Sequence, residues 1–507
     1  MKSGLDYRNK LILAPMVRVG TLPMRLLSLE YGADLVYTEE IIDWKLLRAE
    51  RHTNEVLGTV DYIDTTDGTV VFRTCPVERE RVILQIGTAS VERAVAVGKL
   101  VQQDVAAIDV NMGCPKDFSI KGGMGVALLY DLPRAKAILE ALVQAVTIPV
   151  TCKIRVMPDP DETVQLAREL QSTGISAIGV HGRTKTERPR DPVNEDAIAR
   201  VATALHIPVI ANGGSQSITR RHDVIKFTQR CSTTSAMVAR AAEWNCSVFR
   251  PDGPLPLDDV IRRYLELSVR YDNSPSNTKY CVQMMLRSLQ ETPIGRRLLD
   301  SQTMQQICDI WDMGEYCRET QLRYHYAGIK GRRACRPRTL SVSDETGKDG
   351  SEPAASKKQC IEEVEPSEPL IEENICFIRS NFTDDKELPK SKLYLHAIRG
   401  GLPRAQYEVE QKDKLFRAII RFDGQRYTSS FWEKNKRYAE QAAALVCLLT
   451  RGVESRDELI RNGAMLPAKK PTDGESCLES SIAESISVQH TMISASNLDF
   501  KEEGKSC

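Results

Sequence analysis

Eight apolar runs punctuate the first half of the chain: Lys10–Met16, Ala33–Glu39, Arg81–Gly87, Val105–Asn111, Pro149–Arg155, Ala177–Gly182, Pro208–Gly213 and Ser235–Arg240. Most are β-branched and almost continuously apolar, as strands covered on both faces should be. Amphipathic patterns at helical spacing lie between them, among them Val91–Gln102, Pro133–Ala145 and Asp161–Ser172. Eight strand–helix units in about 240 residues predict an α/β fold, a closed (β/α)8 TIM barrel. A doubly wound open sheet is the competitor, but the first strand–helix turn lacks its glycine signature. The stretch Trp44–Pro76 is longer than a simple connection, and Thr69–Arg73 within it predicts an inserted hairpin strand.

From Pro254 onward the strand pattern stops. Leu257–Arg270, Thr278–Leu289, Ile294–Leu299 and Met304–Trp311 have helical spacing. A third pattern, α-β-β-β-α, closes the ordered sequence: Pro389–Arg399, Gln406–Lys412, Leu415–Phe422, Gln425–Trp432 and Lys434–Thr450. Asp423-Gly424 joins its last two strands with a hairpin-turn signal. The expected organisation is a barrel at 8–250, a helical domain at 251–330, an acidic flexible linker at 331–387, a small α/β module at 388–452 and a disordered tail at 453–507.

Charge sharpens this division. The 507 residues carry 69 basic and 69 acidic side chains, so the net charge is zero. The segregation is nevertheless strong: Leu340–Glu387 sums to about −8 and Leu388–Arg451 to about +7. A basic module after an acidic linker suggests an anionic partner, with a merely solvated face as the alternative. The basic run Lys330–Arg338 suits RNA phosphates, a localisation signal or a plain linker. The 14 cysteines show neither a Cys-x-x-Cys pair nor zinc spacing, so no metal and a reducing, cytoplasmic setting are expected. No apolar run is long enough to span a membrane, and Met1–Lys10 lacks a signal-peptide core.

In a barrel of this kind the active site lies at the carboxyl ends of the strands. Those ends offer Pro15-Met16, Glu39, Gln85, Asn111 with Cys114, Lys153, His181 with Arg183, Asn212-Gly213-Gly214 and Ala239-Arg240. Cys114 sits on a stiff Gly-Cys-Pro turn, where a thiol can be a nucleophile, a proton donor or simply a small buried hydrophobe. The glycines after the seventh strand and Ala239-Arg240 after the eighth stand where barrels bind phosphate.

The chain resembles the tRNA dihydrouridine synthase family over residues 10–320. The resemblance rests on Leu13-Ala14-Pro15-Met16, Asn111-Met112-Gly113-Cys114-Pro115, Lys121-Gly122-Gly123-Met124-Gly125, Lys153-Ile154-Arg155, Val180-His181-Gly182-Arg183, Ala211-Asn212-Gly213-Gly214 and Met237 through Ala242. The module at 388–452 resembles a double-stranded RNA-binding domain. Together these resemblances imply an FMN-dependent enzyme, with NADPH or NADH as reductant, that reduces the C5=C6 bond of uridine 20 in the tRNA D-loop. They imply that Cys114 donates the proton to C5 and that Pro15, Met16 and Val17 line the flavin. Gln85 then bonds the polar edge of the flavin, Lys153 faces its N1 side and His181 contacts it. Asn212, Gly213, Gly214, Ala239 and Arg240 hold the phosphate. Asn111 and Arg183 are candidates to orient uracil, the Lys121–Gly125 loop to close over it, and the helical domain to touch tRNA. Lys390, Lys392, Lys434, Lys436 and Arg437 are the RNA-contacting cations of the module. A reductase of free pyrimidines and a non-catalytic RNA-binding scaffold are the competing functions.

Overall fold

A computed structural model describes residues 5–65, 68–301, 303–327, 369–382, 384–412, 415–433, 435–461 and 464–465. The basic run Lys330–Arg338 lies outside them.

The eight expected strands all form. They are Leu11–Leu13, Leu35–Tyr37, Val82–Gly87, Ala107–Met112, Val150–Arg155, Ala177–His181, Val209–Asn212 and Ser235–Val238. Each pairs in parallel with its neighbour, Leu11–Leu13 pairs with Ser235–Val238, and Leu35–Tyr37 pairs with Val82–Gly87, so the sheet closes. Alternation along each strand produces two separate packing layers. Inward-facing Ile12, Leu35, Ile83, Ala107, Ala177, Ile210 and Met237 fill the barrel, with Tyr7 below them. Outward-facing Leu11, Leu13, Ile108, Val110, Cys152, Ile154, Ile178 and Val180 pack under the surrounding helices.

After the second strand a short helix, Asp43–Leu47, leads into an antiparallel sheet that occupies the long connection. Its strands, Ala49–Asn54, Thr59–Asp64 and Val70–Thr74, are in the order of the sequence. The insertion is thus a three-stranded sheet rather than one hairpin strand. Buried charge fastens it. Arg73 forms a two-bond pair with Asp61, and Arg51 pairs with Asp104, which also accepts from the Tyr62 hydroxyl at 2.6 Å. Arg25 and Glu78, both almost wholly buried, pair at 2.6 Å. Losing one partner of such a pair leaves an unsatisfied buried ion, at a cost of about 3–5 kcal/mol.

The helices Leu257–Arg270, Pro275–Leu286, Pro293–Asp300 and Met304–Ile310 match the helical reading, and a further helix, Gly314–Tyr326, follows them. The small α/β module has its five expected elements, with the turn residues Asp423 and Gly424 both in the left-handed region, at φ 52° and 70°. It also reaches beyond its expected limits. Leu370–Glu373, assigned to the linker from sequence, is a strand paired in parallel with Gln425–Ser429. Arg456–Arg461, assigned to the tail, is a helix, and Ile375 bridges Met465. Both segments are short and polar outside Leu370, Ile371, Leu459 and Ile460, so periodicity alone did not reveal them. Among the described residues no helix is long and apolar enough to cross a membrane.

Candidate active site

The inward positions near the strand ends bring the candidate side chains into one mouth. Register sets the layers: Gln85 lies opposite Asp109, Asp109 opposite Thr151, Asn111 opposite Lys153, Lys153 opposite Gly179, and His181 opposite Asn212. A continuous polar line crosses three strands. Asn111 Nδ2 donates to Gln85 Oε1 at 3.0 Å, Gln85 Nε2 donates to Asp109 Oδ2 at 2.8 Å, and the Thr151 hydroxyl donates to Asp109 Oδ1 at 2.7 Å. Burial raises the Asp109 carboxyl to about 6, against the stabilising effect of these donors and of nearby Lys153.

Asn111 also builds the thiol loop. Its Oδ1 accepts from the backbone N–H groups of Gly113 and Cys114, both at 3.0 Å. Both ends of its amide have partners within the chain, and through Oδ1 it fixes the loop that carries Cys114. The Lys121–Gly125 segment folds back against the same loop: the Val126 N–H donates to the Cys114 carbonyl at 3.0 Å. A Cβ at Gly125, whose φ is 58°, would lie 2.6 Å from that carbonyl oxygen and 3.0 Å from the Cys114 Cβ, so only glycine fits.

Cys114 is a half-buried free thiol, whereas the other described cysteines are buried. Burial, reinforced by the nearby carboxyl of Glu40, pushes its thiol above the ordinary value. Sequence reading stopped at Glu39 and missed Glu40. It also hid Asp109 inside an apolar run, although period-two alternation within that run would have turned Asp109 inward.

Four cations gather at the same mouth, Arg155 directly against the thiol loop. Burial, then Arg155, lowers Lys153 to about 8. Burial likewise disfavours the charges of Arg155, Arg183 and Arg240. Carbonyl oxygens hold two of the guanidiniums: Arg155 bonds those of Gly113 and Thr184, and Arg183 those of Asp191 and Pro189. Arg183 is thus anchored to its own loop. His181 is driven well below its usual range, first by burial and then by these cations, so its ring is neutral. Its Nδ1 is buried without a partner.

Gly213 and Gly214 follow at φ 135° and 65°, and a Cβ on Gly213 would come within 2.7 Å of Val193. The Asn212 amide, by contrast, is spent on the Met237 carbonyl at 3.0 Å. Pro15 and Met16 are half-buried, Val17 is 56% exposed, and Ala239 and Arg240 complete the rim. A neutral histidine with a free buried nitrogen, a concentration of positive charge and a tight glycine turn form a cradle suited to an anionic, phosphorylated ring ligand. FMN satisfies that description, and Lys153, His181, Gly213, Gly214 and Arg240 are the residues that would hold it.

In the small module the cations divide into two sets. Lys390 pairs with Glu440 at 2.5 Å and lies 4.4 Å from the centre of the Tyr407 ring, and Lys392 pairs with Glu454 at 2.9 Å. Lys436 and Arg437 are exposed in the first turn of the helix Lys436–Thr450. Lys434 lies outside the described residues.

The fold and the site define a (β/α)8 barrel whose mouth sets a half-buried thiol beside a cluster of cations and a tight glycine turn. The dihydrouridine synthase family model matches residues 12–255, and the double-stranded RNA-binding motif matches residues 389–450. The tRNA-dihydrouridine(20) synthase [NAD(P)+] of Schizosaccharomyces pombe is 40% identical over 293 residues, which is 56% of this chain and 60% of that protein. The protein of the same name from Saccharomyces cerevisiae is 38% identical over 301 residues, 56% of this chain and 78% of that one. A crystal structure of a tRNA-dihydrouridine(20) synthase dsRBD domain is 36% identical, covering 17% of this chain and 92% of that one, with a TM-score of 0.16. The chain belongs to the dihydrouridine synthase family.

Proposed function

We propose that this chain reduces the C5=C6 bond of a tRNA uridine to give dihydrouridine, with NAD(P)H as the reductant and FMN in the barrel cradle. The observation that carries this reading is the pairing of a half-buried thiol, its pKa raised by burial, with a buried cluster of four cations in a single mouth. The finer reading places the substrate at uridine 20 of the D-loop, as in the names of the two yeast relatives.

Bound FMN supplies the hydride that adds at C6. The chain supplies the rest. Reduction leaves C5 in need of a proton, and Cys114 would give it from sulfur. Its raised pKa keeps it a thiol at neutral pH, the form a general acid requires. Asn111 fixes the loop that presents this thiol through its two backbone N–H contacts. Lys153, protonated below about 8, places positive charge where a reduced flavin gathers negative charge. Neutral His181 offers a ring nitrogen to the cofactor without adding to the local repulsion. A target base must leave its stack to enter the mouth, and the cations of the module hold the surrounding duplex by its phosphates.

The test is incubation of the full chain with unmodified tRNA and NADPH, followed by mapping of dihydrouridine along the tRNA. Product at position 20 is expected. Product from free uridine but not from tRNA would replace this reading with that of a small-molecule reductase. Cys114→Ala should keep bound flavin and its reduction by NADPH while turnover falls about 10²–10⁴-fold, the span of general acid catalysis. Full turnover in that variant would remove Cys114 from the acid role.

A further inference from the structure

We propose that Asp109 is a positioning residue for Cys114: through Gln85 and Asn111, its buried carboxylate sets the direction of a hydrogen-bonded line that holds the thiol loop in place. The proposal rests on the reading of Cys114 as proton donor.

Strand register builds the line. Residues two apart on a strand share a face, so Asp109 and Asn111 of the strand Ala107–Met112 turn into the barrel together with Ala107. Gln85 stands opposite Asp109 on one neighbouring strand and Thr151 on the other. Asp109 is almost wholly buried, and both its oxygens accept from neutral groups: Oδ1 from the Thr151 hydroxyl at 2.7 Å and Oδ2 from Gln85 Nε2 at 2.8 Å. The buried carboxylates of Asp61, Glu78 and Asp104, by contrast, each pair with an arginine. A charge kept in the interior on neutral donors is expensive, and an apolar residue of similar volume would fill the space as well. The position therefore needs acceptors rather than bulk.

What the acceptors supply is direction. A side-chain amide can meet a neighbour with its N–H or its carbonyl, whereas an ionised carboxylate only accepts. Burial raises Asp109 only to about 6, so it is ionised at neutral pH. Its Oδ2 selects Nε2 of Gln85 and leaves Gln85 Oε1 for Asn111. Oε1 in turn selects Asn111 Nδ2, at 3.0 Å, and leaves Asn111 Oδ1 for the loop, where the N–H groups of Gly113 and Cys114 both donate to it at 3.0 Å. Turning over one amide alone would set like poles against each other. With an apolar residue at 109, both amides can turn over together. The bond between Gln85 and Asn111 then survives in reverse, and the two loop N–H groups lose their acceptor. Those N–H groups favour the same direction from the other end, but a loop can move away from its acceptor. A carboxylate buried on a barrel strand cannot, so Asp109 is the fixed end of the line.

The test uses the full chain with its flavin bound, and every rate is taken per bound flavin. Asp109→Leu removes the acceptors at nearly the same volume. Asp109→Asn keeps an acceptor for Gln85, because its N–H can meet the Thr151 hydroxyl, which accepts as well as donates. Cys114 is alkylated with iodoacetamide at one pH, and modification of its peptide is followed by mass spectrometry. Alkylation should be about 3–10-fold faster in Asp109→Leu, the opening expected when a hydrogen bond of ordinary net strength is lost. Asp109→Asn should stay within about twofold of wild type, since the line is kept. Turnover of tRNA uridine should fall about 10–100-fold in Asp109→Leu, as for a misplaced reacting group, and Asp109→Asn should recover most of it. In a Cys114→Ala background the same leucine should cost less than about twofold, because no thiol remains to be positioned. Gln85→Leu cuts the line one bond later and gives the same alkylation readout should Asp109→Leu fail to fold. A wild-type alkylation rate in the leucine variant would overturn the proposal. So would equal losses of turnover with and without Cys114, the mark of a merely structural role. Alkylation needs no substrate. A wild-type protein that made no dihydrouridine would break the functional reading, and the alkylation rates would still decide whether Asp109 holds the loop.

Discussion

The barrel mouth and the small α/β module are both rich in cations but use them in opposite ways. In the barrel, Lys153, Arg155, Arg183 and Arg240 gather in a half-buried site where each charge is disfavoured by burial, and backbone carbonyls rather than carboxylates hold Arg155 and Arg183. In the module, Lys390 and Lys392 are each neutralised by a glutamate, and the exposed pair Lys436 and Arg437 stands apart from them. A cation's function thus depends on what already faces it, which a charge count along the sequence does not report. The barrel concentrates positive charge in a buried setting where carboxylates lie near but burial dominates. The module uses part of its charge to hold itself together and leaves a smaller part for RNA.

The barrel side of this contrast carries the largest expected effect. Lys153→Met should weaken FMN binding to the apoprotein by about 1.5–3 kcal/mol, the range for a hydrogen bond to a charged group, which is roughly 10–100-fold in affinity. The pH dependence follows from the lowered pKa. Lys153 carries its charge below about 8 and loses it as pH rises through that value. Wild-type FMN affinity, measured by titration of the apoprotein, should therefore fall between pH 7 and pH 9. Lys153→Met should be flat across that window. An equal slope in both proteins would mean that Lys153 does not face the bound flavin.

Much of this was legible before any coordinates. The eight strands were visible because strands buried on both faces are continuously apolar, and their ends marked the mouth. Cys114 and Lys153 were visible because they interrupt or follow such runs. Asp109 was not, because one carboxylate among Ile108, Val110 and Ala107 does not disturb an apolar pattern. Glu40 was not, because its neighbour Glu39 drew the same description. The three-stranded insertion was half-visible: Val70–Thr74 is β-branched, whereas Ala49–Asn54 is polar and becomes a strand through its pairing with Thr59–Asp64. The strand Leu370–Glu373 was hidden for the same reason, since Gln425–Ser429 supplies its partner from far along the chain. Sequence gives residue types, not the atoms their amides bond, so the contacts of Asn111 to Gln85 and the thiol loop and of Asn212 to Met237 were not legible.

Within the module, exposure distinguishes Lys436 and Arg437 from the ion-paired Lys390 and Lys392. Lys436→Ala with Arg437→Ala should weaken tRNA binding about tenfold at moderate salt and reduce the salt dependence by about one to two counterions, as loss of two phosphate contacts requires. Flavin reduction by NADPH should be unaffected. Unchanged affinity and salt slope would turn the module into a protein-binding domain that keeps the fold without the RNA contact.

The smallest expected effect is the most discriminating. Lys390 has an ordinary place on the first helix of such a module, yet its ammonium is committed to Glu440 and lies over the Tyr407 ring. Lys390→Ala should therefore change tRNA affinity by less than about twofold while lowering the stability of the module by about 1 kcal/mol, the sum expected of a partly exposed ion pair and a cation–π contact. Glu440→Gln reverses the logic. It releases Lys390 from its partner, leaves the packing of the helix Lys436–Thr450 intact and should raise tRNA affinity two- to threefold at low salt, an increase that vanishes at high salt. If instead Lys390→Ala costs as much affinity as the Lys436 and Arg437 pair, the Glu440 contact gives way to phosphate when RNA binds. The division between internally used and externally offered charge would then hold for the free protein alone.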